Sequence, residues 1–229
     1  MTVRILAIET ATAACSAALY IDGEVEERYS LAPRQHAALI LPMVESLLLE
    51  AGLACHDLDA LAFGRGPGAF TGVRIAASTA QGIAFGADLP VLPVSTLAAL
   101  ASGAMRETNE SRIIAALDAR MDEVYWGVYE RGDKGVPELL NEEQVAKPDV
   151  VSMPETDDWV AAGSGWAAYA GVLMPRIGER LRRVLPDLEP RAHDIALIGA
   201  DSFARGETRR AEDAIPVYLR DQVARTGGR

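Results

Sequence analysis

Cysteine is nearly absent from this chain: Cys15 and Cys55 are the only two in 229 residues. Two isolated thiols build neither a disulfide framework nor a zinc site, so a reducing cytoplasm is the expected home. Long apolar runs are missing as well. Gly, Pro or a charge interrupts every stretch before it reaches the roughly 20 residues a membrane-spanning helix needs. The opening, Met1-Thr2-Val3-Arg4-Ile5, leads into a short strand-like run and lacks the layout of a signal peptide. Positive charge is in deficit, with 22 basic against 33 acidic residues and a net charge of −11. Such a field repels phosphate backbones and argues against tight, independent nucleic-acid binding. Arginines do cluster at Arg180, Arg182 and Arg183, and again at Arg205, Arg209 and Arg210. Glu179, Asp187, Glu207 and Glu212 stand among them, however, which is the pattern of a solvated surface. His36, His56 and His193 are isolated and form no two-histidine helical pair of the kind metal sites use. His36 falls at the start of a helix, where an exposed histidine needs no function. There is no Gly-x-Ser-x-Gly elbow, and neither cysteine lies in a nucleophile motif.

What remains is an apolar fraction of 49% with 24% charged residues, enough for one large core or two modest ones. Strands are predicted at 5–8, 16–21 and 25–31, the last two joined by an Asp22-Gly23 turn. A helix at 36–51 is closed by Gly52; a strand at 59–63, a helix at 69–85, a strand at 90–94 and a helix at 97–105 follow. This order implies an α/β protein with mixed sheets flanked by helices. The polar stretch 106–111 reads as a boundary, giving lobes 1–107 and 108–229, with the last helix free to pack back on the first lobe. Beyond it, strands at 113–117, 123–129 and 158–161 and helices at 176–184 and 195–204 are predicted. The opening recurs: Glu9, Tyr20 and Gly23 match Asp118, Tyr129 and Gly132 at one offset of about 109 residues.

Two lobes that each open on an acid-bearing hairpin suggest the actin–hexokinase type of nucleotide fold. Working members hold phosphates on backbone amides at both hairpin tips, where glycine allows close approach. Here the tips read Glu9-Thr10-Ala11-Thr12-Ala13 and Asp118-Ala119-Arg120-Met121-Asp122, without glycine, and Arg120 stands where a nucleotide would lie. Gly163-Ser164-Gly165 reads either as the remnant of an adenosine-side loop or as a plain strand–helix turn. Glu9, Thr10, Asp118, Arg120, Gly163 and Gly165 therefore form a candidate degenerate nucleotide cleft. No cofactor or metal is expected, although a weak nucleotide site is left open. The loop Gly64-Arg65-Gly66-Pro67-Gly68-Ala69-Phe70-Thr71-Gly72 lacks the ending of a P-loop and reads as a tight turn against a neighbouring helix.

The helices carry more information. Ile40, Val44, Leu47, Leu48 and Ala51 form one stripe, and Leu39, Met43 and Leu49 widen it beyond what one sheet requires. Gly72, Ala76, Ala80 and Ala84 make a smooth ridge on the next helix. A subunit interface built from Ile40, Met43, Val44, Leu47, Gly72, Ile75, Ala76 and Ala80 is the expectation. On that expectation Ala80→Arg severs the contact and leaves the monomer folded.

The stretches Ile5-Leu6-Ala7-Ile8-Glu9-Thr10, Leu41-Pro42-Met43, Gly66-Pro67-Gly68-Ala69-Phe70-Thr71-Gly72-Val73-Arg74-Ile75, Asp118-Ala119-Arg120-Met121-Asp122-Glu123-Val124-Tyr125 and Pro216-Val217-Tyr218-Leu219-Arg220 resemble, in family order, the TsaB (YeaZ) family. The resemblance implies an actin-like (ASKHA) fold and a non-catalytic subunit in the synthesis of tRNA threonylcarbamoyladenosine. It implies support of a catalytic TsaD-type paralogue alongside a TsaE-type ATPase, and a homodimer when alone; the net charge and the short apolar runs argue against tight tRNA binding or membrane contact by this chain itself. The TsaD-type metal histidines follow the strand that closes the first lobe; Pro93-Val94-Ser95-Thr96-Leu97-Ala98-Ala99-Leu100 carries none. In the family the first two helices build both the homodimer and the TsaD contact. The rival readings are a stand-alone actin-fold ATP-dependent enzyme, a metalloprotease-like protein, and a structural homodimer unrelated to tRNA.

Overall fold

The structure is a computed structural model that describes residues 2–220. Its first elements are strands β1 (Arg4–Glu9), β2 (Ala14–Ile21) and β3 (Glu24–Leu31), helix α1 (His36–Ala51), strand β4 (Ala60–Gly64), helix α2 (Phe70–Ala87), strand β5 (Val91–Val94) and helix α3 (Thr96–Thr108). Then come β6 (Arg112–Arg120), β7 (Glu123–Arg131), β8 (Pro137–Leu139), β9 (Gln144–Ala146), β10 (Trp159–Ala162), α4 (Ser164–Ala168), α5 (Ala170–Ile177), β11 (Leu181–Leu185) and α6 (Ala192–Ala204).

The chain forms two compact units. One comprises 1–99 with 190–217, the other 100–189 with the described residues from Tyr218. The boundary predicted at 107/108 thus falls inside α3, at Ala99/Leu100, because the first turn of α3 is tied to the first unit. Thr96 donates its N–H to Gly66 O at 2.9 Å and its hydroxyl to Glu9 at 3.0 Å. Residues 221–229 of the predicted second lobe lie outside the described residues.

The first unit is a sheet in the order β3-β2-β1-β4-β5, with β1, β4 and β5 parallel and β1, β2 and β3 an antiparallel meander. Because side chains alternate along a strand, Leu6 and Ile8 face one core, shared with Ile40, Val44 and Leu47 of α1 and Ala77, Ala80 and Ala84 of α2. Ile5 and Ala7 face the other, shared with Ala192, Ile195 and Ala196 of α6. A strand covered on both faces must be apolar throughout, which is why β1 reads Ile-Leu-Ala-Ile. The face under α6 is built from small residues, and a Cβ on Gly199 would stand 2.8 Å from the Ala62 Cβ. The α6 N-terminus is held by side chains from the meander. Ser16 Oγ accepts the Ala192 N–H at 2.8 Å, and Glu27 accepts the His193 N–H at 3.1 Å.

The second unit repeats this plan in the order β8-β7-β6-β10-β11, with β9 also pairing β7. Its hairpin is not an exact copy. Ile5 pairs Tyr20, whereas Ile114, at the predicted offset, pairs Val128, so Tyr129 is displaced by one residue from the position matching Tyr20. The core holds Trp126, Trp159 and Trp166, with the Trp126 and Trp166 ring centres 5.5 Å apart. The helix predicted at 176–184 is instead the end of α5 followed by strand β11. Gly178, at φ 62°, ends the helix; Leu181 and Val184 then pack on the tryptophan core while Arg182 turns out to Asp158 and Glu110.

Candidate functional site

The first hairpin tip is folded into its own unit. Glu9 is fully buried; its carboxylate accepts the Ala11 N–H at 2.7 Å and the Thr96 hydroxyl at 3.0 Å. Thr10, also fully buried, donates its hydroxyl to Gly72 O at 2.7 Å, and Ala69 donates its N–H to Ala11 O at 2.7 Å. The tip therefore lies against the start of α2, and a Cβ on Gly72 would fall on the Thr10 carbonyl oxygen. Gly64 is constrained in the same way by the Glu9 carboxylate and Gly68 by Ala11. The glycine-rich loop between β4 and α2 is a close-packed turn, as expected, but it packs against the β1–β2 tip and not against the face of a neighbouring helix. Glu9 and Thr10 are engaged in these internal bonds.

The second tip is arranged differently. Asp118 Oδ1 accepts the Arg120 N–H at 2.9 Å and the Tyr169 hydroxyl at 3.1 Å, while its other oxygen pairs with the Arg120 guanidinium at 3.0 Å. Burial and the Asp118 charge push the Tyr169 hydroxyl above its ordinary pKa. Asp118 donates its own N–H to Ser164 Oγ, which brings the start of α4 beside the tip. Gly163 and Gly165 are spacers. A Cβ on either would meet Ala116 of β6 or its backbone, and Gly163 also stands at φ 97°. Their lack of a side chain lets α4 close onto the sheet.

The predicted interface needs the larger correction. Ile40, Val44, Leu47, Gly72, Ala76 and Ala80 are buried within the first unit, and Met43 and Ile75 are half-buried. The ridge of small residues faces inward because it lets α2 lie close on β1 and β4; small residues serve close helix–sheet approach as well as helix–helix approach. His36, expected to be exposed, is also buried at the start of α1. Among the described residues no three His, Cys, Asp or Glu side chains converge where a metal could sit, and no helix is long and apolar enough to cross a membrane.

A family model described as TsaD, tRNA N6-adenosine threonylcarbamoyltransferase, matches residues 29–227. The chain is 47% identical to the tRNA threonylcarbamoyladenosine biosynthesis protein TsaB of Escherichia coli K12 over 96% of both chains. The chain belongs to the TsaB family. Its Haemophilus influenzae relative of the same name is 39% identical over 96% of this chain and 94% of its own length. Among solved structures, YeaZ from Pseudomonas aeruginosa superposes with a TM-score of 0.89 at 47% identity, covering 95% of this chain and all of that one. The fold is accordingly the actin-like α/β fold, each unit carrying one mixed sheet.

The large apolar side chains that α1 and α2 leave exposed are different ones from those named for the interface. Leu41 is 54% exposed and Leu49 72%, two turns apart on α1; Phe70 and Phe85, near the two ends of α2, are 59% and 77% exposed. The Arg74 guanidinium lies 3.6 Å from the centre of the Phe70 ring. These four are the large apolar side chains that α1 and α2 leave exposed. Of the four, Leu49 is among the residues that widen the apolar stripe of α1 in the sequence; spacing alone does not set Leu41, Phe70 or Phe85 apart.

Proposed function

We propose that this chain is an accessory, non-catalytic subunit of the cytoplasmic assembly that makes threonylcarbamoyladenosine in tRNA, and that it supports a TsaD-type catalytic subunit. The observation that carries the reading is near full-length identity to proteins named for that biosynthesis. The first tip supports the non-catalytic part, since Glu9 and Thr10 are spent on holding β1, α2 and α3 together. On this reading no cofactor resides in the chain, a TsaE-type ATPase completes the assembly, and tRNA is not held tightly by this subunit. The exposed apolar side of α1 and α2 is the surface offered to the TsaD-type subunit and, in its absence, to a second copy of the chain. Depleting the protein in its own cells and quantifying threonylcarbamoyladenosine in digested bulk tRNA tests the reading. A fall in the modified nucleoside, restored by re-expression, supports it; an unchanged level rejects it.

A further inference from the structure

The β6–β7 tip carries two residues, Arg120 and Met121, of types that so tight a turn does not favour. Arg120, Met121 and Asp122 stand at φ 60°, 58° and 60°, the left-handed region that two-residue hairpin turns usually fill with Asn-Gly. None is glycine, so each carries a steric cost that glycine would avoid. Arg120 is in register with Glu123 after a slip at Asp118, leaving Met121 and Asp122 as the turn itself. Met121 is 76% exposed, so burial of its side chain returns nothing.

The tip is gripped from far along the chain. Arg220 donates Nη2 to Ala119 O at 3.1 Å and to the Glu123 carboxylate at 2.6 Å, reaches Arg120 O at 3.5 Å, and places Nη1 3.2 Å from the Met121 sulfur. These contacts span 97 to 101 positions of sequence within one unit. We propose that Arg220 is a latch: engaged, it holds the β6–β7 tip in its left-handed conformation and keeps Arg120 and Met121 turned outward; withdrawn, it lets the tip relax to a mobile extended loop. The position of the Tyr218–Arg220 segment then governs the shape of a surface formed a hundred residues earlier. Asp118 alone, through its bond to the Arg120 N–H, does not cover the carbonyls of Ala119 and Arg120 that the guanidinium serves.

Native-state trypsin cleavage at the Arg120–Met121 bond and amide exchange over 119–124, both on the full chain, read the latch directly. Arg220→Ala is expected to raise both rates roughly tenfold or more, with the change confined to the tip. Arg220→Lys keeps the charge beside Glu123 but cannot serve several acceptors at once, and falls between. Adding Met121→Gly and Asp122→Gly to Arg220→Ala restores protection, because glycine holds this turn without help. Wild-type rates in Arg220→Ala, or loosening spread equally through β6, β7 and β10, overturn the proposal. Should Arg220→Ala not fold, Arg220→Lys with and without the two glycines decides, and equal rates in that pair overturn it.

Discussion

At the scale of single residues, burial decides chemistry that residue type leaves open. Cys15 is fully buried on β2 while Cys55 is partly exposed. Burial, reinforced by the charge of Glu9, pushes the Cys15 thiol from its ordinary 9.0 up to about 11. A thiol reagent at pH 8 is therefore expected to label one cysteine, Cys55, in the folded protein and both after denaturation. The folded state keeps Cys15 protonated where the unfolded chain would ionise it. Its contribution to stability is present below pH 9 and lost as the pH rises through about 11. Guanidinium melts of wild type and Cys15→Ala across that range should converge with rising pH; parallel curves would refute the assignment. The sequence showed that Cys15 had no nucleophile motif around it. Only the packing of β2 beneath α1 showed why it is inert.

At the scale of elements, the two faces of α2 carry opposite consequences for substitutions five residues apart. Ala80 is fully buried in the core shared with Ile8, Val44, Leu47 and Phe63. Ala80→Arg places an unpaired charge there at a cost of about 3–5 kcal/mol, a large part of the roughly 5–15 kcal/mol that stabilises a typical domain. It is expected to unfold the first unit, contrary to the reading of this ridge as an interface. Phe85→Asp and Leu41→Asp, both at exposed positions, should leave the circular-dichroism spectrum and melting midpoint near wild type. Each should weaken self-association and binding to the TsaD-type subunit at least roughly tenfold, the loss expected when an apolar anchor worth about 1.5–3 kcal/mol becomes a charge. Sedimentation velocity on the three variants separates these outcomes, and a folded, monomeric Ala80→Arg would reverse the assignment of faces. Both helices, their ends and their apolar width were legible from residue spacing. Which side met the sheet was not, because α1 carries apolar residues around most of its circumference and an alanine ridge suits either neighbour.

At the scale of the whole molecule, the chain leaves its first unit at Ala99 and returns at Pro190, so one core is assembled from segments nearly a hundred residues apart. Removing the return exposes Ile5, Ala7, Ala18, Ala62, Leu92 and Val94 beneath the lost α6. A chain ending at Glu189 is expected to bind hydrophobic dyes and melt without a cooperative transition; a sharp calorimetric peak matching wild type would count against this. The sequence by itself determined the alternation of strands and helices, the duplicated opening, the glycine-rich turn and the family, since each rests on local periodicity, turn chemistry or matched motifs. Tertiary structure alone decided that α3 crosses from one unit to the other, that residues after Gly178 extend into β11, that Glu9 and Thr10 brace the fold, and that the small-residue ridge points inward. These depend on which surfaces meet across long separations in sequence, and local pattern carries no record of the partner.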